Sequence, residues 1–182
     1  MSNGTSFDKS FFNFIHNKIL REDLDDALLF ATYLIDTAQQ VAEEKYKEEF
    51  HRVIVLYIAA AVEALCLFLL EQYGVSKNKA EYKNITPVHI EGVVVKDGEL
   101  VVAIKKKEPI DLKEIPFAES ILLLCNAEKI DDTLKDKLNS LRQKRNSQHL
   151  YGRGKNRISQ KDVVESIKTL LIFRQYIERN LK

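Results

Sequence analysis

Residues 53–70 read VIVLYIAAAVEALCLFLL, a stretch that is apolar throughout except for Glu63. It is barely long enough to span a bilayer, and a carboxylate near its centre would cost about 2.5–3.5 kcal/mol on insertion scales. A helix apolar on every side is more simply one buried on every side, by its own bundle and by a second subunit. The expectation is therefore a helix over about Glu48–Tyr73, stopped by Gly74, at the centre of a soluble, cytoplasmic, dimeric helical domain with no membrane partner.

Composition agrees with one ordinary domain. The 182 residues are 45% apolar and 30% charged, and a chain of this size buries roughly 70% of its unfolded surface without a staple. The domain is expected to span 1–182. Cys66 and Cys125 sit in apolar runs without metal spacing, as buried reduced thiols do. His16, His51, His89 and His149 are scattered, so neither a metal nor a cofactor is expected. The opening MSNGTSFDKS has no basic region followed by an apolar stretch, and no secretory signal is expected.

Upstream of the central stretch, Phe7–Leu20 reads as a short amphipathic piece. Asp23 or Asp25 then caps a longer helix to about Tyr46, with Leu24, Leu28, Ala31 and Ala38 on one stripe. Downstream, Val88–Lys106 holds VHIEGVVV, KDGE and LVVAIKKK: two β-branched runs around an Asp97-Gly98 turn. That is a β-hairpin signal, so one hairpin over about 87–108 is expected as an insertion between helices. Lys105, Lys106 and Lys107 can blunt its exposed edge or touch nucleic acid. Helices resume at Phe117–Ala127, after Asp131 or Asp132, and after Ser159, where Asp162 three residues on makes a capping-box-like start to a helix ending near Asn180.

The net charge of +1 conceals an asymmetry. From Glu22 to Glu49 nine acids face only Lys45 and Lys47. From Lys137 to Lys161 there are Lys137, Arg142, Lys144, Arg145, Arg153, Lys155, Arg157 and Lys161 without one acid. Such a block is often a solvated face, and it is also the electrostatic footprint of a phosphate-bearing partner.

Placement around the helix axis separates the two. With about 100° per residue, Leu138 and Leu141 fall within about 40° of Leu134, Arg145 within about 20°, His149 about 60° away and Arg142 about 80°. The arginines thus extend the leucines' own row, provided that the helix lasts to His149. Inward cations need a partner. Two fit: an internal carboxylate, with Glu63 the obvious choice, or a phosphate from outside.

The stretch RNSQHLY, preceded by LRQK, resembles the signature region of the HEPN superfamily, small α-helical bundles marked by an arginine, four to six residues and a histidine. The resemblance covers the helical frame, about Leu24–Lys182, and its only specific part is this motif. It implies a HEPN-like antiparallel helical bundle and a metal-independent endoribonuclease or RNA-binding domain of toxin or antiphage type, working as a homodimer with two motifs across a composite cleft. His149 matches the motif histidine. Arg142 leaves six residues before it and is followed by Gln143, whereas Arg145 leaves three and is followed by the favoured Asn146.

Under that resemblance His149 moves the proton, Arg142 and Arg145 stabilise the charged phosphorane and Asn146 orients phosphate or ribose. Lys144, Arg153, Lys155 and Arg157 would track the backbone of the strand, and Tyr151 would stack on a base or close the bundle end. The alternative is a non-catalytic interaction or nucleotide-binding module that partners an antitoxin or a nucleotidyltransferase. Gly152 and Gly154 match no nucleotide-binding motif, and nothing near Ser147 completes a triad.

Overall fold

The computed structural model describes residues 11–84, 103–148 and 157–181. They are mostly helical: α1 (Lys18–Gln40), α2 (Glu44–Gln72), β1 (Asn78–Asn84), β2 (Ala103–Pro109), a short 3-10 turn (Leu112–Glu114), α3 (Phe117–Asn126), α4 (Asp132–Ser147) and α5 (Gln160–Asn180).

The apolar stretch is the axis of the fold. α2 touches α1, α3, α4 and α5, and buries Ile54, Val55, Ile58, Val62, Leu65, Leu69 and Leu70 among others. It is long and apolar enough to cross a membrane by length and composition, while 61% of its most apolar window is buried within this fold. The other four helices pack by their apolar faces around it, with Leu28 and Ala31 of α1, Leu124 of α3, Leu138 of α4 and Phe173 of α5 completely or almost completely buried. The break after α1 comes at Val41–Glu43, whose extended backbone turns the chain back along itself, rather than beyond Tyr46.

The start of α1 differs from expectation. Asn17, not Asp23 or Asp25, is the cap, its side chain accepting from the Leu20 amide at 3.1 Å. Before it, residues 11–14 form a turn and not a helix. Phe12 and Ile15 are nonetheless core residues. Arg174 of α5 secures this segment: its Nε donates to the Phe11 carbonyl at 2.7 Å, and its guanidinium lies over the Phe11 ring at 4.6 Å.

The strands also differ. β2 overlaps the second expected run, but its antiparallel partner is Asn78–Asn84, upstream of VHIEGVVV, with Asn84 opposite Ala103. A two-residue turn at Asp97-Gly98 would set Ala103 opposite Gly92, so the described ladder is not the one that turn specifies. Its register runs from Asn78 opposite Pro109 to Asn84 opposite Ala103. Residues 85–102, with the first run and the Asp97-Gly98 turn, lie outside the described residues.

The C-terminal helices follow the sequence closely. Asp131 caps α4 by accepting from the Leu134 amide at 2.7 Å. Ser159 and Asp162 form a complete capping box on α5, a reciprocal arrangement that satisfies two otherwise orphaned amides.

Candidate functional site

α4 presents one face to α2 through Leu134, Leu138 and Leu141, all buried. The row then turns polar. Arg145 follows the leucines and places Nη2 3.1 Å from Oε2 of Glu63, with side chains 34% and 23% exposed. Of the two partners open to an inward arginine, the internal carboxylate is the one this residue takes, and it is the lone acid of the apolar stretch. Glu63 thereby has a place in an otherwise apolar stretch of α2: its charge is matched at the edge of the core.

Lys144, one residue earlier, faces α5. Its Nζ lies 2.6 Å from Glu165 and 3.0 Å from Asp162, with its side chain 20% exposed. Burial presses the ammonium pKa down, but the hydrogen bonds it donates to both carboxylates outweigh this and the net shift is upward. Burial likewise pushes Asp162 up, yet its hydrogen bonds with Ser159 and the Lys144 charge hold the carboxyl at about 2. Lys144 is therefore a clamp between α4 and α5, its charge matched within the fold.

Arg142 is placed differently. It is half-buried, its Nε donates to Oδ1 of Asn139 at 3.2 Å, and among the described residues it forms no ion pair. Asn146 is exposed. Arg157 is 91% exposed and reaches Glu48 at 3.9 Å, a distance and exposure at which an ion pair contributes little.

α4 ends at Ser147 with Gln148 as its cap, so the helical count does not extend to His149. His149, Tyr151, Arg153 and Lys155 lie outside the described residues. The structure thus brings Arg142, Lys144, Arg145 and Asn146 onto the last turns of one helix, with Arg157 at the entry to the next.

Two polar residues that the sequence reading did not single out are buried here. Gln148 is only 7% exposed, and lies about 40° from Leu134 on the same helical count, so applying the count to it would have found it. Arg52 of α2 is 8% exposed and is held by Glu48 at 2.5 Å and Glu49 at 3.3 Å. Part of the acidic block thus neutralises a cation of its own helix, and Glu48 also reaches Arg157 of the basic block. A cleft of about 930 Å³ opens beside these groups, between the end of α1 and the starts of α2 and α5; Ala38, Ile54 and Val163 line its apolar part, and Glu48, His51 and Arg157 its polar part.

Cys66 is buried, and burial pushes its thiol pKa up, as for an inert core thiol; Cys125 is half-buried, and both are free. Among the described residues no group of three or more histidine, cysteine or acidic side chains is arranged to hold a metal ion. Comparison with family models, curated proteins and solved structures finds no match for this chain.

Proposed function

We propose that this chain is a HEPN-like helical domain acting on RNA as a metal-independent endoribonuclease of toxin or antiphage type, cytoplasmic and homodimeric, with Arg142 and His149 as the working pair. The observation that carries the reading is the contrast among the three cations at the end of α4. Lys144 and Arg145 are committed to carboxylates, whereas Arg142 is held only by a neutral amide. Arg142 is also the arginine whose spacing to His149 fits the motif. A half-buried guanidinium without a carboxylate is suited to a phosphate, which it can bind through two parallel hydrogen bonds.

The chemistry that follows is ordinary phosphoryl transfer within RNA. His149 takes the proton of a ribose 2′-hydroxyl, and the freed oxygen forms a bond to the adjacent phosphorus. The bond to the 5′-oxygen breaks, and that oxygen receives a proton as it departs. The products are a 2′,3′-cyclic phosphate and a 5′-hydroxyl. Arg142 stabilises the charge on the phosphorane between these two events. Arg145 contributes by position, since its bond to Glu63 fixes the end of α4, one turn beyond Arg142.

Incubation of the purified protein with end-labelled total RNA in EDTA tests this, beside His149→Ala. Cleavage by the native protein alone, with cyclic phosphate ends, is expected. Cleavage retained by His149→Ala would overturn the mechanism.

A second reading is favoured by the Arg145–Glu63 pair itself: a non-catalytic module in which the polar end of α4 serves stability, and whose partner is another protein such as an antitoxin or a nucleotidyltransferase. A dimer that neither cuts nor binds RNA is the outcome this reading expects.

A further inference from the structure

An exposed apolar side chain standing singly is ordinary, whereas a contiguous group of rings marks a surface that meets something. Phe30 and Tyr33 of α1 and Tyr57 of α2 form such a group. The rings of Phe30 and Tyr33 stack with centroids 6.3 Å apart, and Phe30 leans on Tyr57 at 4.9 Å. Tyr33 is 64% exposed, Phe30 41% and Tyr57 37%, so three rings in mutual contact all face solvent. Helix periodicity is the cause. Phe30 and Tyr33 lie about 100° or more around α1 from Leu24, Leu28 and Ala31, which the bundle buries.

What borders the rings decides the occupant. From Glu22 to Gln40, α1 carries five acids and no lysine or arginine. Asp26 stands four residues before Phe30 and Asp36 three after Tyr33, spacings that share a helical face. Both acids are exposed, and neither forms an ion pair among the described residues. Acids alone would be a solvated face. Acids at both ends of a bare aromatic ledge are complementary to a cation whose flat side can lie on a ring, which arginine supplies and a phosphate backbone does not. A second copy seated here about a two-fold axis would set these acids against themselves, because the same patch meets itself across such an axis. We infer that this face of α1 and α2 docks an arginine-bearing segment of another protein, its guanidinium groups stacking on Phe30 and Tyr33 and pairing with Asp26 and Asp36. The inference stands independently of the RNA reading.

The test uses the full chain and a fluorescein-labelled peptide of alternating arginine and leucine, beside the same peptide with lysine or glutamate in place of arginine. The arginine peptide is expected to bind in a salt-sensitive manner, the lysine peptide less tightly and the glutamate peptide not at all. Tyr33→Ala and Asp26→Asn should each weaken binding about threefold or more, the loss of one anchor. Asp136→Asn, which removes an exposed acid from α4, should leave it unchanged. Tyr33 and Asp26 are surface residues, so both variants should keep the native urea midpoint, which separates lost binding from lost folding. No binding of the arginine peptide by the native chain, or equal losses from Asp26→Asn and Asp136→Asn, overturns the proposal. A dimer that Tyr33→Ala splits into monomers also overturns it, because a second copy would then be what covers the face.

Discussion

Arg145 of α4 and Glu63 of α2 meet at 3.1 Å, closing the polar end of a stripe that is otherwise leucine. Both side chains retain solvent contact, so screening limits the pair to about 1 kcal/mol. Arg145→Ala should cost more, about 1–2 kcal/mol, because Glu63 then keeps a half-buried charge with no cation opposite. Adding Glu63→Ala should restore part of the loss in urea unfolding. Strictly additive losses would show that the contact contributes nothing.

Arg142 is expected to behave in the opposite way. Its one bond is to a neutral side chain three residues away on its own helix, so Arg142→Ala should change stability by less than about 0.5 kcal/mol. RNA cleavage should fall by at least about a hundredfold, the scale set by removing a group that stabilises transition-state charge. A full-strength nuclease without Arg142 would return the motif role to Arg145.

Acid should loosen the junction between α4 and α5. The Asp162 carboxyl titrates ordinarily at 3.8 and is held at about 2 in the fold. Because its folded value is the lower one, its stabilisation is complete above about pH 4 and is lost as pH falls toward 2, on the order of 1 kcal/mol after screening. Asp162→Asn should flatten the unfolding free energy across that window. Lys144→Ala should move the acid loss to higher pH, since it removes one of the influences that hold the carboxyl down.

Leu138 is fully buried between the capped start of α4 and its polar end. Leu138→Ala should cost about 2–5 kcal/mol through lost burial and the cavity left behind. A denaturant midpoint close to that of the native protein would mean that α4 is not packed on the core as described.

What the sequence made legible depended on how local the signal was. The capping box at Ser159, the Asp131 cap and the burial of α2 are written in residues a few positions apart, and all three are found. The start of α1 was less legible because Asn17, Asp23 and Asp25 are all competent caps and tertiary packing of Phe12 and Ile15 chooses among them. The strand pairing was not legible because the described ladder joins residues 19 to 31 positions apart, and a turn signal read locally does not specify it.

At the candidate site, the inward direction of Arg145 and its match to Glu63 could be foreseen from the helical count. The commitment of Lys144 to α5 could not, because it depends on how two helices meet. Gln148 was missed although the same helical count sets it about 40° from Leu134, because the reading there followed the charged residues alone.

The bonds from Lys144 to Asp162 and Glu165 tie the chain into a ring, and every residue from 145 to 161 lies within it. The cost of closing such a ring rises only with the logarithm of its length. Insertions, deletions or wholesale replacement between Gly152 and Lys155 would therefore alter the fold's stability little so long as the clamp is intact. Two carboxylates of one helix and a single ammonium of another thus uncouple the length of the intervening chain from what holds the two helices together.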